Sequence, residues 1–402
     1  MTTFQLILFD DSFRESLKPL SSTRPVCDFR IGILTIREKW EKHLRCDSTT
    51  ATASHLEKWK TPFLPDAQKQ HLWINGRVLP NPELAFEVLS LAEGDVLIKG
   101  ETIIAFHAGL SVERFETESK DHLSGDFGIK MSKVYSEVIN RISDVFTNNG
   151  AQILADIDLL KLVSIEKLSA SNTVIGDLPV ILEKGAKAEA VVFNTTKGPI
   201  HIGENAEIME GAMLRGPLSI GANAQVKMGA KIYGDSTIGP GCKVGGELSN
   251  SVLFGNSNKA HDGFIGNSVI GEWCNLGADT NTSNLKNNYG EVSVYNYAIE
   301  GSENTGMLFH GLIMGDHAKC GINTMFNTGT VVGVCANVFG AGFPPKLIPD
   351  FAWGSAENMH EFQFEKAIEM ISNVYKRRNK IVDNPEVDSL KHIFNETKKM
   401  RL

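Results

Sequence analysis

The 402-residue sequence lacks CxxC pairs, long apolar runs and an excess of positive charge. Its six cysteines are therefore expected to be free thiols in a reducing compartment. No stretch approaches about 18 apolar residues, and the first residues lack a basic region followed by an apolar core, so neither export nor membrane spanning is expected. The net charge of −8 argues against a general nucleic-acid binder. These absences predict a cytoplasmic protein whose partners are neither nucleic acid nor membrane.

What the sequence does contain is an aliphatic residue at every sixth position over a long stretch. The first run is Ile202, Ile208, Leu214, Ile220, Val226, Ile232, Ile238 and Val244. The spacing resumes, after shifts, at Val252, Phe264, Ile270 and Leu276, and again at Leu308, Met314, Cys320, Phe326, Val332 and Val338. A period of six fits neither a helix nor a simple strand, so the unit must be a short strand plus a turn. The pattern predicts a β-helix whose coils stack about 4.8 Å apart.

The solenoid is expected over residues 166–345, with different textures on either side. Residues 1–165 mix apolar strands, such as Phe4 to Phe9, with helical stretches, which predicts an α/β domain and a connector. Residues 346–402 carry apolar residues at helical spacing and predict a C-terminal helical cap. The basic run Arg377, Arg378 and Lys380 is interpreted as a solvated helix face.

Two segments of the solenoid resemble a known family. Gly246–Lys286 reads GELSNSVLFGNSNKAHDGFIGNSVIGEWCNLGADTNTSNLK, and Gly198–Pro217 reads GPIHIGENAEIMEGAMLRGP. Both are similar to the acetyltransferase half of bifunctional sugar-1-phosphate nucleotidylyltransferase/acetyltransferases, which make UDP-N-acetylglucosamine. The resemblance implies a left-handed parallel β-helix, acetyl-CoA as cosubstrate, an amino-sugar phosphate such as glucosamine-1-phosphate as acceptor, and a homotrimer.

The resemblance also implies catalytic roles for His261 and Asn284. His261 corresponds to the family's general base, and an imidazole with its ordinary pKa near 6.5 can take the ammonium proton of an amino sugar at neutral pH. Asn284 corresponds to the family's asparagine beyond the GAG turn, which can orient the amino sugar or the base. From the residues alone, both side chains are equally at home in ordinary turns.

Further residues are assigned by the same resemblance to the two substrates. Substrate contacts are expected from Arg215, Phe264 and Lys286, and coenzyme A contacts from Gly277, Ala278 and Thr328. Arg215 can hold a phosphate bidentately, although an outward arginine can equally serve as solubilising charge. Phe264 replaces a family tyrosine and Asp279 replaces the second glycine of GAG, which leaves the identity of the sugar open.

The N-terminal segment LILFDDSFRESLKPLSSTRPVCDFRIGILTI lacks the glycines of a nucleotidyltransferase phosphate loop. The resemblance is to a degenerate nucleotidyltransferase-like domain, since Asp10 and Asp11 stand where backbone amides would approach a triphosphate. Four cations could bind UTP or another nucleoside triphosphate: Arg14, Lys18, Arg24 and Arg30. Mg²⁺ is expected only if this domain is active, and the sequence identifies no metal ligands.

Other functions remain open at this point. The chain could be a non-catalytic sugar-nucleotide sensor or trimeric scaffold, in which the solenoid only presents the N-terminal domain. It could also be an acyltransferase for a different sugar or with a longer acyl donor.

Overall fold

The computed structural model describes residues 4–57, 70–108 and 128–401. The chain divides into two compact units. Unit 1 comprises residues 1–17, 24–29 and 34–140, and unit 2 comprises residues 18–23, 30–33 and 141–402. Two short stretches of the N-terminal sequence therefore belong to the second unit. Among the described helices, none is long and apolar enough to cross a bilayer.

Unit 1 is built on a mixed sheet of six strands. These are β1 Phe4–Phe9, β2 Ser48–Ala51, β3 Gln70–Asn75, β4 Asp95–Lys99, β5 Thr102–His107 and β6 Gly128–Met131. Their order is β2-β1-β3-β5-β4-β6, and β1 runs parallel to both of its neighbours. The apolar run at the end of β1 is buried, which explains its place inside the sheet.

Short helices and 3₁₀ turns complete unit 1. The helices are α1 Ile36–Leu44, α2 Ser54–Glu57 and α3 Pro82–Leu89, and the 3₁₀ turns are Ser12–Leu17 and Val26–Asp28. Helix α1 begins at a capping box in which Thr35 and Glu38 satisfy each other's backbone amides. Helix α3 begins after Asn81, whose side chain accepts the amide of Leu84.

Unit 2 is a solenoid with three parallel sheets, so the expected fold class, an α/β N-terminal domain followed by a left-handed hexapeptide β-helix and C-terminal helices, is confirmed. Sheet I contains β7 Thr173–Ile175, β10 Val192–Asn194, β13 Met213–Arg215, β16 Lys231–Ile232, β19 Glu247–Ser249 and β22 Phe264–Gly266. The pair β25 Asn281–Thr282 and β30 Met325–Phe326 follows on the same side, since amides of β22 donate to side chains of β25.

The other two sheets are longer. Sheet II contains β8 Val180–Leu182, β11 Ile200–Ile202, β14 Leu218–Ile220, β17 Ser236–Ile238, β20 Val252–Gly255, β23 Val269–Glu272, β28 Ile313–Met314, β31 Val331–Val332 and β33 Leu347–Ile348. Sheet III contains β9 Lys187–Ala188, β12 Glu207–Ile208, β15 Gln225–Val226, β18 Lys243–Val244, β21 Asn258–Lys259, β24 Asn275–Leu276, β29 Lys319–Cys320, β32 Asn337–Val338, β34 Ala352–Gly354 and the antiparallel β35 Met359–Glu361. The chain visits sheets I, II and III in turn, so each coil has I–II, II–III and III–I corners.

The inward positions follow the six-residue period closely except around residues 252–265. There the strand pairing joins Ile238 to Leu253 and Val244 to Lys259, so the inward residues are Leu253, Lys259 and Ile265. The expected inward positions Val252 and Phe264 are therefore wrong by one residue. The coils that precede this segment are shorter than the regular ones, which displaces the pattern. Leu308 is also wrong, because it is exposed.

The regular hexads stop at β25, and an inserted segment leaves the solenoid before β28. It forms an antiparallel hairpin of β26 Ser293–Asn296 and β27 Gly301–Asn304, joined by a 3₁₀ turn at Tyr297–Ile299. The start of the insertion is anchored where the amide of His310 donates to the carbonyl of Asn284. The expected interruption of the repeat is thus an arm that begins beside a candidate site residue.

Helices of unit 2 pack on the outside of the coils. They are α4 Ser143–Thr147, α5 Asn149–Leu160, α6 Phe364–Lys376 and α7 Asn384–Glu396, with 3₁₀ turns at Leu20–Ser22 and Lys398–Met400. Helices α6 and α7 cover II–III corner residues that include Trp273, Cys335 and Phe351. These three residues have φ of 61°, 57° and 53°, a conformation that costs bulky residues about 1–2 kcal/mol each. Packing under the helices compensates for that strain.

Candidate functional site

His261 lies exposed at the III–I corner, between strands β21 and β22. Its coil is joined to the next one at the same corner, where the amide of Asp279 donates to the carbonyl of Asp262 at 3.0 Å. The corner containing Gly277 and Ala278 is therefore stacked directly on the corner containing His261. The structure brings these three predicted residues together.

A buried lysine holds the His261 corner from inside the solenoid. Lys259 is only 1% exposed and takes an inward position that Val244 and Leu276 fill on neighbouring coils. Its ammonium donates to the carbonyl oxygens of His261, at 2.5 Å, and Asp262, at 2.7 Å. Burial lowers the pKa of Lys259 to about 8, against a favourable effect of the Asp262 carboxylate. Sequence reasoning missed this residue, although a charged residue at a core position was a signal.

Asn284 and Phe264 meet over Gly266 on the other side of sheet I. A Cβ on Gly266 would lie 2.6 Å from Asn284 Nδ2 and 2.6 Å from the edge of the Phe264 ring. Only glycine leaves room for both side chains here. Asn284 Nδ2 donates to Asn267 Oδ1 at 2.8 Å, so the amide group of Asn284 is oriented with its nitrogen toward Asn267.

The two backbone candidates for coenzyme A differ in what they offer. The amide of Gly277 donates to the carbonyl of Cys320 at 3.1 Å and is engaged in the solenoid. The amide of Ala278 has no acceptor among the residues that the structure describes. Thr328 lies at the I–II corner, buried, on the coil that follows Asn284. The structure therefore separates Thr328 from the His261 corner.

Arg215 and Lys286 lie away from His261. Arg215 ends β13, three strands below Gly266 in sheet I, which corresponds to about 14 Å at the usual strand spacing. Lys286 lies at the start of the insertion, and its ammonium donates to the carbonyl of Glu291. Burial and the charge of Lys286 lower the pKa of Lys346, so the two ammonium groups lie near each other.

The four N-terminal cations are split between the units. Arg14 is in unit 1 and pairs with Asp10 at 3.4 Å and Glu15 at 3.0 Å. Lys18 belongs to unit 2 and pairs with Glu396 at 3.0 Å.

The remaining two cations are also bound within the fold. Arg24, in unit 1, is buried. Arg30 belongs to unit 2, where its guanidinium donates to the carbonyls of Phe254 and Ile33. Lys18 and Arg30 thus attach two short N-terminal segments to the solenoid unit.

Another arginine, Arg77, occupies the switch point of the unit 1 sheet. It follows β3 and is 1% exposed, and it holds both carboxylate oxygens of Asp11, at 2.8 and 2.5 Å. The Phe13 ring lies 4.3 Å from its guanidinium. Sequence reasoning missed Arg77, because nothing in the local sequence signals that it pairs with the loop after β1.

The two carboxylates of this loop do not fit a magnesium site. Asp11 accepts from Arg77 and from Asn75 Nδ2 at 2.8 Å. Asp10 is buried and accepts from the amide of Val26 and the hydroxyl of Thr52, and burial raises its pKa. Across residues 4–57, 70–108 and 128–401, no group of three or more His, Cys, Asp or Glu side chains could hold a metal.

Comparisons with known proteins give one family match and several weak structural similarities. A family model described as sugar nucleotidyl transferase matches residues 6–164, less than half of the chain. The polySia specific acetyltransferase NeuO is similar over 48% of this chain and 81% of its own, at 12% identity and a TM-score of 0.26. A search of curated proteins finds no match.

Two structures of AntD, an N-acyltransferase from Bacillus cereus, are also similar. A mutant in complex with dTDP-4-amino-4,6-dideoxyglucose and coenzyme A covers 51% of this chain and 86% of its own, at 12% identity and a TM-score of 0.22. The complex with dTDP and 3-hydroxybutyryl-CoA covers 56% and 96%, at 11% identity and a TM-score of 0.22. Similarity this low carries no inference about activity. What the comparisons establish is a match of the N-terminal part of the chain to the sugar nucleotidyl transferase model.

Proposed function

We propose that the solenoid transfers the acetyl group of acetyl-CoA to the amine of an amino-sugar phosphate such as glucosamine-1-phosphate. The observation that carries the proposal is the III–I corner. There an exposed His261 stands on a backbone pinned from inside by Lys259, with a free amide at Ala278 on the next coil. This arrangement offers a proton acceptor and an oxyanion donor side by side.

The reaction needs only these groups. His261 takes a proton from the substrate ammonium, and the amine nitrogen attacks the thioester carbonyl carbon. The carbonyl oxygen becomes an oxyanion, which the amide of Ala278 can stabilise. The imidazole passes this first proton to solvent. As the carbon–sulfur bond breaks, it takes the second proton from the attacking nitrogen and gives it to the leaving thiolate, so that the amide, the free thiol and one released proton result. Asn284 contributes its amide oxygen as an acceptor for a sugar hydroxyl.

In a single chain the site is open, because His261 is exposed on a convex corner. Binding sites for small substrates are normally concave and bury most of the ligand. We therefore propose that a homotrimer completes the site, with the insertion arm of a second copy covering the corner. Phe264 lies three residues after His261 on the same chain, whereas Lys286, Arg215 and Thr328 lie away from His261 and are candidates for lining the groove from a second copy.

Nucleotidyl transfer by unit 1 is not part of the proposal. The loop after β1 has no glycines, and its Asp11 carboxylate is bound by Arg77, so neither backbone amides nor a magnesium ligand is presented to a triphosphate. We expect no pyrophosphate release from UTP.

The experiment measures free thiol release from acetyl-CoA across a panel of amino-sugar phosphates, with pyrophosphate release from UTP assayed alongside. His261→Ala should lower kcat by about 10²- to 10⁴-fold, the usual contribution of a general base. The matched control is His360→Ala, an exposed histidine on β35 of the same unit. Equal rates for wild type and His261→Ala, or no thiol release with any amino sugar, would contradict the proposal.

A further inference from the structure

Four cations converge on the outer face of sheet III, one coil below the His261 corner. Lys243 begins β18, and strand pairing places it directly beside Gln225 on one side and Asn258 on the other. The ammonium of Lys227 donates to Gln225 Oε1 at 2.9 Å, and Gln225 is the strand neighbour of Lys243. Arg377 and Arg378 complete the cluster.

The two arginines follow helix α6 and reach the solenoid from outside. Arg378 Nη2 donates to the carbonyl of Gly241 at 3.1 Å, two residues before Lys243. The pKa of Lys243 is lowered by partial burial, then by the charges of Arg378, Lys227 and Arg377, so all three cations act on this one ammonium. The run interpreted from sequence as a solvated helix face is thus brought against two lysines that lie far from it in the chain.

No carboxylate in the described part of the chain forms an ion pair with this cluster. None of the four residues forms an ion pair with a carboxylate, and Lys243 has no acceptor. The neighbouring Glu207 is bound to Gln225 Nε2 at 3.1 Å rather than to a lysine. Like charges gathered without a counter-charge repel one another, which an anionic ligand would relieve.

We propose that Lys227, Lys243, Arg377 and Arg378 form a binding site for a phosphate or diphosphate ester. Lys243 is paired with Asn258 on the neighbouring strand, and Asn258 precedes His261 by three residues. The Cα atoms of Lys243 and His261 therefore lie at most about 15 Å apart. A ligand whose phosphates rest on the cluster can therefore place another part at the His261 corner. The ester is a phosphate of one of the two substrates, the acyl carrier or the sugar, so the inference rests on the proposed function for its biological role.

The test is calorimetric titration of the full chain with inorganic pyrophosphate, coenzyme A and glucosamine-1-phosphate. Lys243→Met and Arg378→Met should each weaken pyrophosphate binding about tenfold, since each removes a charge-assisted hydrogen bond. Lys231→Met is the control, because it removes the same charge from the adjacent sheet I, where Lys231 pairs with Glu247 at 4.0 Å. The wild-type affinity should fall steeply with added salt.

The three probes separate the possible results. Loss of affinity for coenzyme A alone assigns the site to the acyl carrier, and loss for glucosamine-1-phosphate alone assigns it to the sugar. Equal pyrophosphate affinity in wild type, Lys243→Met and Lys231→Met overturns the proposal, whether or not acetyl transfer occurs. Pyrophosphate binding that depends on Lys243 in a protein without acetyl transfer keeps the site and rejects the enzymatic function. Lys243→Met should melt no lower than wild type, because it relieves repulsion, so a loss of binding cannot be ascribed to unfolding.

Discussion

The sharpest prediction concerns the substitution Lys259→Met, which should damage activity without damaging the fold. Burial holds the pKa of Lys259 near 8 instead of 10.5, so keeping the ammonium charged at pH 7 costs about 3 kcal/mol relative to the unfolded chain. Methionine removes that cost and fills the inward position, but it removes both hydrogen bonds to the corner carbonyls. These effects oppose each other, and we expect the free energy of unfolding at pH 7 to change by no more than about 1 kcal/mol.

Activity should respond differently from stability. The carbonyl of His261 has no donor other than Lys259 within the described residues, so the corner loses its internal anchor. A displacement of about 1 Å in a catalytic group can cost about a hundredfold in rate. We expect kcat for acetyl transfer to fall by about 10- to 100-fold with little change in KM. Val244→Met is the matched control, since it places methionine at the same inward position one coil below.

The pH dependence of unfolding gives an independent check. Because the folded-state pKa of Lys259 is depressed, the unfolded chain binds more protons between pH 8 and 10.5, and wild-type stability rises with pH across that window. Lys259→Met lacks this rise. The stability of the variant relative to wild type should therefore fall by about 3 kcal/mol between pH 7 and pH 10.5, as measured by urea denaturation. Full activity in Lys259→Met, or parallel losses of activity and several kcal/mol of stability, would refute the reasoning.

Four further predictions concern other parts of the molecule. Gly266→Ala should fold normally yet lose activity, measured by thiol release, because its Cβ would displace the two side chains that meet there. Burial raises the pKa of Asp350 to about 6, so wild type loses stability as pH rises through that value. Asp350→Asn should therefore gain about 3 kcal/mol of stability relative to wild type between pH 4 and pH 7. A stability difference that stays the same at both pH values in denaturant titrations would contradict this. Trp273→Ala should cost about 3–5 kcal/mol through lost packing under α6 and α7, seen as a lower thermal midpoint. Arg77→Met should cost about 3–5 kcal/mol, because it leaves Asp11 without its bidentate partner; a shift below 1 kcal/mol would show that water replaces it.

The basic run after α6 shows how tertiary structure changes the meaning of a sequence feature. Three cations within four residues are typical of a solvated helix face, and Lys380 indeed lies 5.1 Å from the Trp273 ring at a corner. The fold nevertheless bonds Arg378 to the carbonyl of Gly241, two residues before Lys243. A local charge pattern indicates where cations are but not what they face.

The N-terminal unit illustrates the opposite case, in which an absence was informative. The missing glycines predicted that no phosphate loop forms after β1. In the structure, the Asp11 carboxylate of that loop is bound by the buried side chains of Arg77 and Asn75. The match to the sugar nucleotidyl transferase model therefore includes a loop whose Asp11 carboxylate is held within unit 1.

The candidate site was only partly predictable. The family resemblance singled out His261, whereas nothing predicted its anchoring by Lys259. That lysine occupies an inward position that neighbouring coils fill with apolar residues, and a six-residue period counted from Val252 misses it by one residue. The meeting of Asn284 with Phe264 over Gly266 depends on stacking between coils, which no local signal encodes.

The sequence by itself determined the architecture of the second unit, because a six-residue period forces one short strand and one turn per repeat and leaves each coil to stack on the next. It also indicated a gap in the repeat between Leu276 and Met314, and the inserted arm lies within that gap. Only the tertiary structure decided which side chains share a corner, since that depends on coils of unequal length sliding the register. Such a shift sets the position of the corner that carries His261. Lys259 supports that corner from inside, and a charged residue at an inward position does not follow from a pattern of apolar residues.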